Sequence, residues 1–148
     1  MAVRPAADKA GVKPGVQAAL VLDSSCWLEY LGDTARAGLF ASQLEVPETL
    51  VVPVITVYEV FKVAKREFGA RRAAEAVSLM RRGHVVEVGL ALAVAAVDTG
   101  LPLADSLIYA TARLHGAELW TQDNHFEGLQ GVRYFEKPAS PHAAPAGA

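Results

Sequence analysis

The chain has 148 residues, of which 52% are hydrophobic and 20% are charged, so it can form one ordinary domain with a sizeable core, and wholesale disorder is excluded. Its formal net charge of −2 excludes a globally basic nucleic-acid binder, although a local basic patch is compatible with that total. Cys26 is the only cysteine, which excludes an internal disulfide framework and a cysteine-rich zinc site.

The two ends of the chain differ in composition from the middle. Residues 1–19 and 137–148 are rich in Ala, Pro and Gly and lack sustained apolar periodicity, which predicts two flexible tails around one domain at residues 20–136. No apolar run approaches the roughly 18 residues that a membrane span needs, and no secretory signal is apparent. We therefore expect no membrane association and a cytoplasmic location.

Within the domain, short β-rich runs alternate with helical ones. Apolar runs predict strands at residues 20–22, 50–53, 84–88, 117–121 and 132–135. Apolar side chains at helical spacing predict helices at residues 26–31, 34–44, 54–68, 70–82, 90–99 and 104–114. Ser24 and Ser25 are candidate caps of the first helix, and Gly69 should end one arm of a helical hairpin. This alternation predicts an α/β fold in which a mostly parallel sheet lies between layers of helices.

Four acidic side chains fall where the predicted elements meet one edge of this sheet. Asp23 and Asp123 come just after strands, whereas Glu59 and Asp105 lie in early turns of helices. Because the carboxyl ends of parallel strands open onto one edge, where ligands bind, we expect the four carboxylates to converge there. Protons or cations must then offset their mutual repulsion.

An oxygen-only cluster of this kind favours Mg²⁺ or Mn²⁺ over zinc. Such an ion can activate a water and stabilise charge on a phosphodiester oxygen, so the chemistry indicated is metal-assisted phosphodiester hydrolysis. Each acid also has a purely structural interpretation. Asp23 is a candidate helix cap, Glu59 forms a capping-box pattern with Thr56, Asp105 complements a helix dipole and Asp123 suits a turn.

Longer motifs surround these acids, in the segments Val-Leu-Asp23-Ser-Ser, Thr56-Val-Tyr-Glu59-Val, Leu-Pro-Leu-Ala-Asp105-Ser-Leu-Ile-Tyr-Ala-Thr-Ala and Leu-Trp-Thr121-Gln-Asp123-Asn-His-Phe126. On these segments the chain resembles PIN-domain ribonucleases, specifically the VapC-type toxins of bacterial toxin–antitoxin pairs. The resemblance covers nearly all of residues 20–135. It implies a three-layer α/β/α PIN-like domain that acts as a Mg²⁺- or Mn²⁺-dependent endoribonuclease.

The resemblance also implies roles for individual residues and partners. Asp23, Glu59, Asp105 and Asp123 would be the catalytic, metal-binding quartet, with Thr121 and Ser24 as polar neighbours that position water or phosphate. A neutralising antitoxin and a homodimer are implied as partners, beside the RNA substrate. Two other functions stay open: a housekeeping PIN nuclease of RNA processing, and a non-catalytic domain that binds RNA or protein.

Three further features have both a functional and a structural interpretation. The basic side chains that follow Glu59 on its helix are either phosphate contacts or a solvated face: Lys62, Lys65 and Arg66. A group of large apolar residues is either a groove for a partner peptide or core: Trp27, Tyr30, Leu31, Leu39 and Phe40. His125, two residues after Asp123, is either a substrate contact or, as we expect, a surface histidine.

Overall fold

The computed structural model describes residues 19–138, so nearly all of both predicted tails lies outside the described residues. The strands are β1 (Leu20–Leu22), β2 (Val51–Pro53), β3 (His84–Val86), β4 (Glu118–Thr121) and β5 (Val132–Tyr134). The helices are α1 (Ser24–Leu31), α2 (Ala41–Leu44), α3 (Val54–Met80), α4 (Leu90–Val97) and α5 (Leu103–Leu114). Single 3₁₀ turns occur at Ala37–Leu39, Pro47–Thr49 and Asn124–Phe126.

All strand pairs in the sheet are parallel. β4 pairs with β1 on one side and β5 on the other, β2 pairs with β3, and a single parallel bridge between Leu20 and Leu50 joins the two groups. The spatial order is therefore β3-β2-β1-β4-β5. The chain leaves β1 toward β2 and returns on the other side as β4, so the winding reverses between β1 and β4. The crevice outside the carboxyl ends of these two strands is where a doubly wound sheet binds ligands.

Alternate side chains of β1 enter two different cores. Leu20 and Leu22 pack in a cluster with Trp27 of α1, whereas Val21 packs in a second cluster with Ile108 of α5 and Leu119 of β4. Because both faces are covered by helices, every residue of β1 is apolar and buried. The predicted three-layer α/β/α arrangement is confirmed.

The long helix α3 is broken at Gly69, where the predicted hairpin turns. Gly69 has φ 87° and ψ 166°, which lies far outside the helical region. Val60 from the first arm and Ala76 and Met80 from the second are fully buried in one cluster. A straight helix would separate residues 60 and 80 by about 30 Å, so the shared cluster reflects two arms folded against each other.

Two local predictions are wrong. Residues 34–44 form a 3₁₀ turn and the single turn α2 instead of one helix; the two turns meet at Phe40, whose angles (φ −117°, ψ −12°) depart from ideal helical values and whose side chain is completely buried. Asp23, not Ser24 or Ser25, caps α1, because its carboxylate accepts the Ser25 amide proton.

Of the helices between residues 19 and 138, none is both long and apolar enough to cross a membrane.

Candidate active site

Asp23 lies at the carboxyl end of β1 and is only 5% exposed. The Thr121 hydroxyl donates a hydrogen bond of 2.6 Å to its Oδ2, and the hydroxyls of Ser24 and Ser25 donate to Oδ1 and Oδ2 at 3.1 and 3.2 Å. Asp23 is therefore both the cap of α1 and a buried carboxylate whose orientation is fixed by three hydroxyls. The structure adds Ser25 to the predicted polar neighbours; its signal in the sequence is its place in Asp23-Ser-Ser, two residues into the capped turn.

Thr121 connects the ends of β1 and β4. Its hydroxyl donates to Asp23 and also accepts the Asp123 amide proton at 2.9 Å, and its side chain is fully buried. Asp123 in turn caps the 3₁₀ turn that follows, since its Oδ1 accepts the His125 amide proton at 2.9 Å. One hydroxyl thus sets the relative position of two of the predicted acids.

Glu59 lies in the second turn of α3 and does not cap this helix. The helix begins at Val54, so Thr56 is within it and the capping-box interpretation of Thr56 and Glu59 is wrong. Among residues 19–138, no hydrogen-bond partner reaches the buried Oε1 of Glu59. Partial burial, and then the nearby charge of Asp23, raise the pKa of Glu59; the charges of Asp105 and Asp123 add to this and the Ser24 hydroxyl offsets part of it.

Asp105 lies in the first turn of α5 and faces His125. The His125 Nδ1 is 2.8 Å from Asp105 Oδ2 and 3.4 Å from Asp123 Oδ1. Burial raises the pKa of Asp105, and the charge of Asp123 adds to that effect, whereas the hydrogen bond to His125 lowers it. The same hydrogen bond, with the charge of Asp123, raises the pKa of His125. His125 is exposed, as expected, but its ring also contacts two of the predicted acids, which the sequence analysis did not predict.

The four acids belong to one electrostatic cluster, which we call the acidic rim: Asp23, Glu59, Asp105 and Asp123. The raised pKa values of Glu59 and Asp105 reflect charge repulsion among its members as well as burial. The closely spaced oxygens of Asp105 and Asp123 fit a divalent cation, which would offset the repulsion. The buried Oε1 of Glu59, unpartnered among residues 19–138, is a further carboxylate oxygen of the rim without a hydrogen bond. The donors are not oxygen alone, because one ligand atom each of Asp105, Asp123 and His125 lie within 4.8 Å of one another.

The three basic candidates lie on the first arm of α3, beyond Glu59. Lys62 and Lys65 are exposed, with each ammonium over an aromatic ring of its own helix: Tyr58 at 5.8 Å and Phe61 at 5.9 Å. Arg66 pairs with the exposed neighbour Glu67 at 3.1 Å. None of these contacts joins a basic side chain to the core, so all three charges face solvent.

The five apolar candidates for a partner groove divide between core and surface. Trp27, Leu31 and Phe40 are at most 9% exposed and belong to the core, so they are not free to bind a partner on their own. Tyr30 and the edge of Leu31 do line a groove of about 590 Å³ between α1 and the second arm of α3, together with Arg72 and Leu79. Leu39 is 44% exposed.

Solved structures share this fold. A toxin–antitoxin complex from Klebsiella pneumoniae matches at 26% identity with a TM-score of 0.64, over 77% of this chain and 95% of that chain. VapC20 of Mycobacterium tuberculosis, a sarcin-ricin loop cleaving toxin, matches at 20% identity and a TM-score of 0.61, over 72% and 92% of the two chains. DNA-bound VapBC from Salmonella typhimurium matches at 17% identity and a TM-score of 0.58, over 80% and 98%.

Two further comparisons use the amino-acid sequence alone, one with curated proteins and one with models of protein families. No curated protein matches the chain significantly. The profile of the PIN domain matches residues 20–132, which include strands β1 to β4, the first residue of β5 and all four members of the acidic rim. The chain belongs to the PIN-domain family.

Proposed function

We propose that this protein is a metal-dependent endoribonuclease that acts as the toxin of a toxin–antitoxin pair. The observation that carries the proposal is the convergence of four carboxylates at the switch point of a PIN fold, with one buried carboxylate oxygen of Glu59 left unpartnered among residues 19–138. The fold neighbours include a toxin–antitoxin complex and a sarcin-ricin loop cleaving toxin, which supports the same class of activity.

The residues of the site would have two roles, binding of the cation and orientation of the Asp23 carboxylate. Asp23, Glu59, Asp105 and Asp123 would hold Mg²⁺ or Mn²⁺, with Thr121, Ser24 and Ser25 keeping the Asp23 carboxylate in one orientation. A bound divalent cation supplies a water of lowered pKa and offsets charge on the phosphate oxygens. Because Asp23 is buried and held by three hydroxyls, little reorganisation is needed when the substrate arrives.

The RNA strand would approach along the first arm of α3. The exposed cations of Lys62, Lys65 and Arg66 follow Glu59 on that arm and can contact phosphates on either side of the bond that is cut. Binding through such contacts weakens as salt rises, because counterions compete for the phosphates. Such an enzyme would act in the cytoplasm, where its RNA substrate is found.

Two protein partners complete the proposal. The antitoxin would place a segment in the groove lined by Tyr30, Leu31, Arg72 and Leu79, where an apolar side chain of the partner would pack against Leu79. A second copy of this chain would cover an apolar face of α4, where Leu90, Val94 and Val97 are 82%, 60% and 77% exposed. No charged residue occurs between residues 88 and 97, so this face can pair with its own copy without placing like charges opposite each other.

The test is cleavage of purified RNA by the purified protein. EDTA should stop cleavage and excess Mn²⁺ or Mg²⁺ should restore it, whereas Asp105→Asn should be inactive with either ion. Cleavage that survives EDTA and repeated purification would contradict the metal-dependent mechanism. Cleavage without growth arrest on induced expression would favour the housekeeping nuclease, and metal binding without any cleavage would favour the non-catalytic domain.

A further inference from the structure

His125 lies on the solvent side of the acidic rim, between two of its carboxylates. It belongs to the 3₁₀ turn after β4, and its backbone amide donates to the same Asp123 oxygen, Oδ1, that its ring approaches. The turn therefore fixes the imidazole relative to Asp123, while the ring reaches across to Asp105 on α5. The side chain stays 56% exposed, so its position follows from these polar contacts and not from packing in the core.

The distances around His125 fit a shared cation as well as they fit hydrogen bonds. Nδ1 is 2.8 Å from Asp105 Oδ2 and 3.4 Å from Asp123 Oδ1. Adjacent ligands of an octahedral ion with bonds of about 2.1 Å are separated by about 3 Å. A cation bound by the two carboxylates would therefore have Nδ1 within reach, without a rearrangement of the turn.

We propose that His125 is a nitrogen ligand of the divalent cation at the acidic rim and that it biases the site toward Mn²⁺ over Mg²⁺. The inference rests on the proposed function only in taking the rim as a cation site. Mg²⁺ prefers oxygen donors and keeps much of its water, whereas imidazole suits transition-metal ions. Replacing one oxygen donor by Nδ1 should therefore cost Mg²⁺ affinity relative to Mn²⁺ affinity.

The experiment measures the metal directly and needs no RNA. Mn²⁺ is titrated into the metal-free full-length protein by electron paramagnetic resonance, Mg²⁺ is measured by competition, and pulsed resonance detects nitrogen coupled to the bound Mn²⁺. The variants are His125→Ala, His125→Asn, which keeps an amide oxygen near the place of Nδ1, and His84→Ala as the matched control. His84 is an exposed histidine at the start of β3 and has no contact with the rim carboxylates in the described chain.

The wild type and His84→Ala should show coupled nitrogen. His125→Ala should lose that signal and bind Mn²⁺ about tenfold or more weakly, with a smaller change for Mg²⁺. His125→Asn should recover part of the affinity without the nitrogen signal. Mn²⁺ bound to the wild type without coupled nitrogen, or with a signal that persists in His125→Ala, would overturn the inference and leave the proposed nuclease intact. Failure of the wild type to bind Mn²⁺ would overturn both.

Discussion

At the scale of single residues, Glu59 gives the acidic rim its clearest thermodynamic signature. Burial and the charge of Asp23 raise the pKa of Glu59 above its ordinary value of 4.5, so the folded protein holds this proton to higher pH than the unfolded chain does. Its contribution to stability is therefore complete below about pH 4.5 and is lost as pH rises through the folded-state pKa. The titration of Glu59 therefore makes the metal-free fold less stable at neutral pH than it is with an uncharged side chain at this position.

Glu59→Gln should consequently raise the Tm of the metal-free protein at neutral pH. Glu59 is only half-buried and solvent screens its charge, so the gain should be on the order of 1 kcal/mol or less. Thermal unfolding in EDTA at neutral pH and near pH 4 checks this, with the exposed Glu45→Gln as a control for the loss of one negative charge. A gain of equal size at both pH values, or one shared by Glu45→Gln, would show that repulsion at the rim is not its source.

Thr121 offers a second test at the same scale, because one hydroxyl serves both Asp23 and Asp123. Thr121→Val keeps the shape of the side chain but removes the hydrogen bond to the buried Asp23 carboxylate and the acceptor of the Asp123 amide, which should cost about 1–3 kcal/mol. The misplaced carboxylates should also slow RNA cleavage by at least about tenfold. Thr121→Ser, which retains the hydroxyl, should recover most of the lost stability and most of the lost cleavage rate. Urea unfolding measures the loss of stability, and cleavage assays measure the loss of activity. If Thr121→Val matched the wild type in both measurements, the role given to Thr121 would be refuted.

At the scale of elements, the hairpin of α3 depends on the backbone of Gly69. Its φ of 87° with ψ of 166° is a conformation that essentially only glycine adopts, and no described heavy atom lies within 4 Å of a Cβ placed there. Gly69→Ala should therefore lower the free energy of unfolding by about 1–3 kcal/mol through backbone strain alone. Gly38→Ala is the matched control, because its surroundings are equally open and its φ is not positive. Equal stability of both variants would mean that the turn relaxes.

Some elements of the fold were predictable from the sequence, and others depend on contacts between distant residues. The strands and the glycine-broken hairpin were predictable, because continuous apolar runs and a helical period interrupted by Gly69 are local signals. The broken helix at residues 34–44 was not, since the burial of Phe40 against Phe135, at 5.1 Å between ring centres, is a contact between distant parts of the chain. His125 was missed for the same reason: its partner Asp105 lies 20 residues earlier, on another element.

At the scale of the whole molecule, the uncharged face of α4 should determine the oligomeric state. Val94→Glu adds a charge at the centre of the face formed by Leu90, Val94 and Val97, so we expect it to convert the proposed dimer to a monomer. Sedimentation of the wild type, Val94→Glu and the control Val46→Glu measures this; Val46 is 44% exposed but belongs to a different surface. A monomeric wild type, or a Val94→Glu variant that stays dimeric, would exclude this face as the interface.

The central claim is that the acidic rim cuts RNA inside the cell. Sequencing of RNA ends after brief induced expression tests it most directly, with the wild type compared with Asp105→Asn at matched protein levels. Asp105→Asn removes one rim charge and should fold at least as stably as the wild type, because repulsion in the metal-free site is relieved. The account predicts new RNA ends at a restricted set of sites in wild-type cells and none in Asp105→Asn cells. The same new ends in both would contradict it.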